Sequence, residues 1–312
     1  MIPDRYHFVW FGRQLPLFAQ LAMRSVLVRN PGAELIAWHG PELSSEERAE
    51  LSSAGIEFRP IDVEGLIQTA GLADTGLLSY YRALTQPAAL SNVVRLLVLY
   101  AEGGVYLDTD TLTLKDLTPL RREAGFCGLE HILWPREKLT KRSPYFWTVG
   151  PALEVWRTVS SALAQGYRLH RRSLRWYSQA ANNAVLGFER HHPFLQAALQ
   201  AIPRLPREDA QKRYRLGTHL LQQTLAERAN EVTCFAPSYF YPLGPIASRH
   251  FFKERTDLDR VLPQVIRPET HVVHWYTSVS DLRSRDRKHI ENRRDRSIYA
   301  RLCAEVLEHP LR

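Results

Sequence analysis

Cysteine is scarce in this chain. The three in 312 residues, Cys127, Cys234 and Cys303, are odd in number and widely separated. They make neither a zinc-ligand spacing nor a disulfide framework, and the expectation is buried free thiols of a cytosolic protein. No apolar run approaches the length of a membrane-spanning helix. The N-terminus, Met1 to Trp10, lacks the basic, apolar and cleavage-site order of a secretion signal. There is no glycine-rich phosphate loop, no zinc-finger spacing and no RNA-binding sheet motif, so nucleic acid is not an expected partner. Negative charge is also short: 33 Asp and Glu stand against 41 Lys and Arg, a net charge of +8. That excess favours anionic partners, among them nucleotide diphosphates, acidic glycans and membrane head groups, without choosing between them. Much of it lies late, at Arg283, Arg285, Arg287, Lys288, Arg293, Arg294 and Arg296, with a second group at His170, Arg171, Arg172 and Arg175. Runs of this kind are most often solvated helix faces.

What is present is core-forming material, 45% hydrophobic residues with 24% charged. The first hundred residues alternate in character. Ile2–Phe11 is a strand opened by Pro3 and closed by Gly12. Phe18–Arg29 is an amphipathic helix stopped by Asn30-Pro31-Gly32. Glu34–Trp38 is a strand, Ser44–Ala54 a helix with Glu46 and Glu47 in its first turn, and residues 56–63 are extended. This rhythm predicts a parallel sheet with right-handed crossovers, whose ligands bind beyond the carboxyl ends of the strands. Further on, residues 66–84, 151–165, 194–202 and 214–230 read as helical, 125–134 as extended, 135–144 as a polar basic loop and 283–312 as a charged helical tail.

The stretch from Pro87 to Asp110 is the most ordered signal. Pro87 suits a first helical turn. Leu90, Val93, Val94, Leu97, Leu99 and Tyr100 supply a broad apolar face. Gly103-Gly104 stops the helix, because glycine takes a left-handed cap without a Cβ penalty. Val105-Tyr106-Leu107 is a short β-prone run, and Asp108-Thr109-Asp110 follows where it ends. Two carboxylates at one strand end suit Mn²⁺ or Mg²⁺, which take oxygen ligands and often substrate phosphates. An Asp-x-Asp pair alone is a weak motif, since twelve aspartates place about half of one by chance. A second copy, Asp257-Leu258-Asp259, has no strand before it and reads as a solvated turn or helix start.

The order Ser91-Asn92-x-x-Arg95, then Gly103 to Asp110, resembles the sugar-binding DXD region of glycosyltransferases. It is similar to glycosyltransferase family 32 with its bacterial capsule enzymes, and to the catalytic domains of the large clostridial glucosylating toxins. The first strand, Ile2-Pro3-x-x-x-His7-Phe8-Val9-Trp10-Phe11-Gly12, resembles the same family in the expected order. The resemblance implies an α/β fold of GT-A type, a Rossmann-like nucleotide-binding sheet with helical insertions. It implies transfer from a nucleotide diphosphate sugar, a UDP-sugar, to a hydroxyl, with retention of configuration. Asp108 and Asp110 would hold Mn²⁺ or Mg²⁺, and Arg95 would hold the donor. Trp10 would stack on the base, against the plain alternative of a core tryptophan, and Tyr106 would line the ribose pocket. Asn92, which stands where the family often has Asp, would contact sugar or ribose. Asn182 or Asn183 would contact the donor sugar, or else cap a helix or turn. In His271–Ser278, His274 would ligate the metal or diphosphate and Ser278 touch the diphosphate, although Val279 stands where relatives have tryptophan. Adjacent His191 and His192 point apart and do not read as a metal site.

The expected organisation is one domain over 1–312: a nucleotide-sugar core over 1–120, a mainly helical acceptor-side region over 121–230, and returning strands with a basic tail over 231–312. Polysaccharide or glycoconjugate synthesis in the cytoplasm fits the resemblance, with the basic tail touching the inner face of a membrane. A glycan, a lipid-linked saccharide and a protein side chain are open as acceptors. A nucleotide-sugar hydrolase and a non-enzymatic anion- or glycan-binding protein are the rival readings. A glycosidase would need two carboxyls flanking the scissile bond, whereas these two share one strand end.

Overall fold

The computed structural model describes residues 1–134, 143–163, 166–212, 214–277 and 281–309. Its centre is a sheet of seven strands: β1 (Arg5–Trp10), β2 (Glu34–His39), β3 (Ile56–Pro60), β4 (Gly104–Leu107), β6 (Gly125–Ile132), β7 (Ser178–Phe188) and β8 (Thr233–Phe235). Their order is β3-β2-β1-β4-β7-β6-β8, and β5 (Thr111–Thr113) pairs separately with β9 (Val272–His274). The pairs β1–β2, β2–β3, β1–β4 and β6–β8 are parallel, while β7 runs antiparallel to both β4 and β6. The α/β reading therefore holds, with a mostly parallel sheet. The span 121–230 is mainly helical and also supplies β6 and β7 to this sheet.

Helices cover both faces. On one side lie α1 (Leu17–Arg29) and the C-terminal helix Ile298–Glu308, packed on Tyr6, Phe8, Val105 and Leu107. Beside them, near the sheet edge, lies α2 (Ser45–Ser52), whose Leu51 packs on the same core; on the other side lie α3 (Val63–Thr69), α4 (Leu77–Arg82) and α5 (Pro87–Glu102). Alternation along β4 sends Val105 and Leu107 to the first core and Tyr106 to the second. Ten of the sixteen residues of α5 are buried, so it is a core helix, with each buried Leu or Val contributing roughly 1.5–3 kcal/mol. Gly103 ends it at φ 67, and Gly104 follows at φ 109. A Cβ on Gly104 would stand 2.5 Å from the Arg5 carbonyl, so only glycine lets β4 start against β1. His7 ties the same corner: its Nε2 meets the Gly103 carbonyl at 2.8 Å, and Trp38 Nε1 donates to its Nδ1 at 3.1 Å. Burial pulls the His7 pKa down to about 4, so the ring is neutral and donates from Nε2.

Several expectations change in three dimensions. The extended run over 56–63 stops at Pro60, because Asp62 caps α3 by accepting from the Gly65 amide. The helical run over 66–84 is broken at Gly71 and Gly76, both with positive φ. Cys234 is exposed, not buried, and its Sγ lies 3.6 Å from that of Cys127 on the adjacent strand. Residues 135–142 of the expected basic loop lie outside the described residues. Asp257 does precede a helix, Leu258–Val265. His192 caps α9 (Pro193–Ala201), and His191 stacks on Tyr100.

Candidate active site

The site forms where β4 ends. Thr111 donates its backbone N–H to the Asp108 carbonyl at 3.1 Å and its hydroxyl to the same oxygen at 2.8 Å. That tight turn brings Asp108 and Asp110 together at the carboxyl edge of the sheet. The chain then enters β5, whose Thr111 is registered with His274 of β9. His274 Nε2 lies 3.0 Å from Asp110 Oδ1. Thr277 donates its backbone N–H at 2.8 Å and its hydroxyl at 2.9 Å to Asp110 Oδ2. Burial pushes the Asp110 carboxyl up, but the His274 charge and these donors outweigh it and hold it well below the usual range. For His274, burial pulls the pKa down, and the Asp110 carboxylate more than reverses this.

One atom each from Asp108, Asp110 and His274 lie within 4.8 Å of one another. Two carboxylates and an imidazole are a donor set suited to Mn²⁺, and acceptable to Mg²⁺. His274 Nδ1 is buried without a hydrogen-bond partner among the described residues. These residues fit a divalent ion.

Arg95 stands behind Asp108. It is 5% exposed, with Nη2 3.0 Å from Asp108 Oδ1, Nη1 donating to the Asn183 carbonyl, and its guanidinium 4.5 Å from the Tyr106 ring centre. Tyr106 donates its hydroxyl to Asp108 Oδ1 at 2.8 Å and is 1% exposed. Tyr106 therefore does not line an open ribose pocket; it orients a carboxylate from below. Burial works against the Arg95 charge, and Asp108 and the Tyr106 hydroxyl more than compensate.

The two asparagines separate. Both lie inside β7, where its pairing with β6 shifts register between Cys127 and Gly128, and their side chains meet different partners. Asn183 Nδ2 donates to Asn92 Oδ1 at 2.9 Å, and Gly217 roofs the pair. A Cβ at Gly217 would stand 2.8 Å from Asn183 Nδ2, so a larger residue there would displace the amide pair. Asn182 accepts from the Ala184 amide at 2.7 Å and bonds Glu130. Trp10 sits half-buried at the carboxyl end of β1, beside β4, with Nε1 buried and unpartnered among the described residues. Ser278 lies outside the described residues.

Glu130, Tyr276 and Thr277 were not singled out from the sequence. Tyr276 donates to Glu130 Oε2 at 2.8 Å, and its ring centre lies 4.0 Å from that of His274. Its φ of 59 is left-handed, a strain of about 1–3 kcal/mol that this hydrogen bond helps to hold. Burial raises the Glu130 pKa, and the Tyr276 and Asn182 bonds oppose the rise. The available signal was a lone carboxylate inside the apolar run Gly125–Ile132.

Residues 19–127 match the family model described as "Glycosyltransferase sugar-binding region containing DXD motif". The matched stretch is similar to that glycosyltransferase sugar-binding region. It runs from α1 into β6 and includes Asn92, Arg95, Tyr106, Asp108 and Asp110; Trp10 and His274 come from outside it. The chain is similar to Subversion of eukaryotic traffic protein A of Legionella pneumophila, 26% identical over 111 residues. That match spans 36% of this chain and 17% of the relative's length. Among solved structures it is similar to PaToxG glycosyltransferase, with TM-score 0.46, 16% identity, and 73% of this chain and 70% of that one covered. It is also similar to galactosyltransferase LgtC in complex with donor and acceptor sugar analogs, with TM-score 0.45, 16% identity, and coverage of 98% and 97%.

The His274–Asp110 pair predicts a pH response of the metal-free protein. The folded pKa of His274 lies above 6.5, so its contribution to stability is complete below pH 6.5 and is lost as pH rises through the folded value. The folded pKa of Asp110 lies below 3.8, so its contribution is present above pH 3.8 and is lost as pH falls. Thermal midpoints in EDTA should therefore decline on the alkaline side, and His274→Gln should flatten that decline. The same alkaline slope in both proteins would place its origin elsewhere.

Proposed function

We propose that this protein is a metal-dependent glycosyltransferase of GT-A type. It moves a sugar from a nucleotide diphosphate sugar, a UDP-sugar, to a hydroxyl of a glycan, lipid-linked saccharide or protein acceptor. The carrying observation is the Asp108–Asp110–His274 cluster at the end of a central strand, with two of its members inside the sugar-binding region. Those three residues would hold Mn²⁺ or Mg²⁺, which when bound supplies positive charge against the leaving diphosphate. Arg95 and Tyr106 orient Asp108. Thr277 fixes Asp110, and Tyr276, held by Glu130, keeps the His274 loop in place. Trp10, at the end of the strand beside β4, stacks on the donor base. Asn92 and Asn183 form an amide pair that meets donor hydroxyls.

A panel of nucleotide sugars tests this reading by release of nucleoside diphosphate with Mn²⁺, with Mg²⁺ and with EDTA. At least one donor should be turned over in a metal-dependent way, and faster when acceptor is added. Metal-independent release, or none from any donor, would sink the proposal. In calorimetry, Trp10→Ala should weaken binding of the cognate nucleoside diphosphate by about 1–3 kcal/mol. Unchanged affinity would return Trp10 to the core.

A further inference from the structure

Nine large hydrophobic residues are exposed among the described residues, and seven of them fall between Trp134 and Trp176. They gather on the helical insertion between β6 and β7, made of α6 (Pro144–Trp147), α7 (Val149–Ala162) and α8 (Gly166–Ser173). Of the apolar side chains of α7 only Leu153 is buried, and it joins a small core with Leu133, Tyr177 and Ile246. Ala152, Val155, Val159 and Ala162 recur at helical spacing on a separate stripe of α7. Val155 is 64% exposed and Val159 47%, and Leu163 continues the stripe at 45%. Trp147 and Trp176 are exposed at 63% and 52%.

Charge accompanies this insertion. From Ser143 to Trp176 there are five arginines and one acid, Glu154, a net of four positive charges and half of the chain's +8. Glu154 is taken by Arg157. Arg171, Arg172 and Arg175 are exposed and have no carboxylate at ion-pair distance among the described residues. Their segment is fastened to α7: Trp156 donates to Ser173 Oγ at 2.9 Å, and its ring meets Trp176 edge-on at 6.5 Å. Arg175 lies 5.7 Å from the Trp176 ring centre. In the late basic tail, expected from the sequence to touch a membrane, Arg283, Arg287 and Lys288 are exposed but four other basic residues are engaged. Arg293 and Arg296 meet Glu254, Arg294 meets Glu308, and Arg285 covers Phe252.

We propose that the exposed stripe of α7, with Trp147, Trp176 and the arginines 171, 172 and 175, docks on the interfacial layer of an anionic lipid bilayer. Aliphatic stripe, amphipathic indoles and unpaired arginines are the three features that such a layer accommodates together. Like charge opposes a second copy of this chain on the same face. The fourteen residues of α7 span about 21 Å, short of the roughly 30 Å of a hydrocarbon core, so the helix lies on the bilayer and does not cross it.

Flotation of the full chain with phosphatidylcholine vesicles, with or without phosphatidylglycerol, tests the proposal. Binding should need phosphatidylglycerol and weaken with salt. Arg171→Glu with Arg172→Glu, and separately Val155→Glu with Val159→Glu, should each lower partitioning at least about tenfold. Circular dichroism controls for folding; if the glutamates unfold α7, Val155→Ser with Val159→Ser takes their place and should still lower partitioning. No binding to anionic vesicles, or binding untouched by these variants, overturns the proposal. So does loss of binding only on Arg287→Glu with Lys288→Glu, or a dimer in sedimentation that the Val155 and Val159 variants dissociate.

Discussion

Asp110→Asn is expected to lower turnover by at least about a hundredfold, the scale for removing one preorganised electrostatic contact, while leaving the protein folded. The amide is isosteric with the carboxylate and still offers one oxygen to Thr277, which donates to Asp110 from both its N–H and its hydroxyl. The charge that raises the His274 pKa disappears. Burial then favours the neutral imidazole, opposed only by the Asp108 and Glu130 charges. A divalent ion loses one of its two carboxylates. EDTA should reproduce the loss in the parent protein, and added Mn²⁺ should restore the parent far better than the variant. Full turnover in Asp110→Asn together with indifference to EDTA would take the metal out of the reaction. Asp257→Asn serves as the control, because Asp257 only precedes a helix and pairs with Arg255.

Arg95→Met should damage stability as well as activity. The guanidinium is buried, pairs with Asp108 at 3.0 Å and donates to the Asn183 carbonyl. Methionine fills much of the volume but leaves that carbonyl unpaired and the carboxylate without its cation. Breaking a buried pair by removing one partner costs about 3–5 kcal/mol. Urea unfolding would measure the loss, and turnover should fall because Asp108 is then steered by Tyr106 alone. Arg95→Lys keeps the charge but cannot serve Asp108 and Asn183 with one planar fork, so it should recover only part of each. An Arg95→Met protein as stable and as active as the parent would make the pair incidental.

The readable parts of this fold are those set by near neighbours in the chain. Pro87, the apolar face of α5, the glycine stop and the β-prone run before Asp108 each act within a few residues. Their order was therefore visible, down to the strand end where the carboxylates sit. The parallel rhythm of β1 to β3 was legible for the same reason. Asn182 and Asn183 show where this ends. Their positions in the sequence say nothing of which neighbour each meets, and a strand sends one toward Glu130 and the other toward Asn92 and Gly217. Tyr106 was placed on the right strand but in the wrong surroundings, because the packing of α5 puts Arg95 over its ring.

His274 and Asp110 are 164 residues apart, and only the pairing of β5 with β9 brings them to 3.0 Å. Sheet register depends on which strands meet, and that is settled by the shared core and not by either segment. The two basic groups make the same point. On paper both were runs of arginine. In the folded chain Arg293, Arg294 and Arg296 of the late group face carboxylates and Arg285 an aromatic ring, while Arg171, Arg172 and Arg175 have no ion pair among the described residues and share an insertion with an exposed apolar stripe. Composition and local pattern thus decided the elements and the candidate carboxylates. Their partners, and which charges stay free, were left to tertiary packing, because pairing energy depends on distances that the order of residues does not specify.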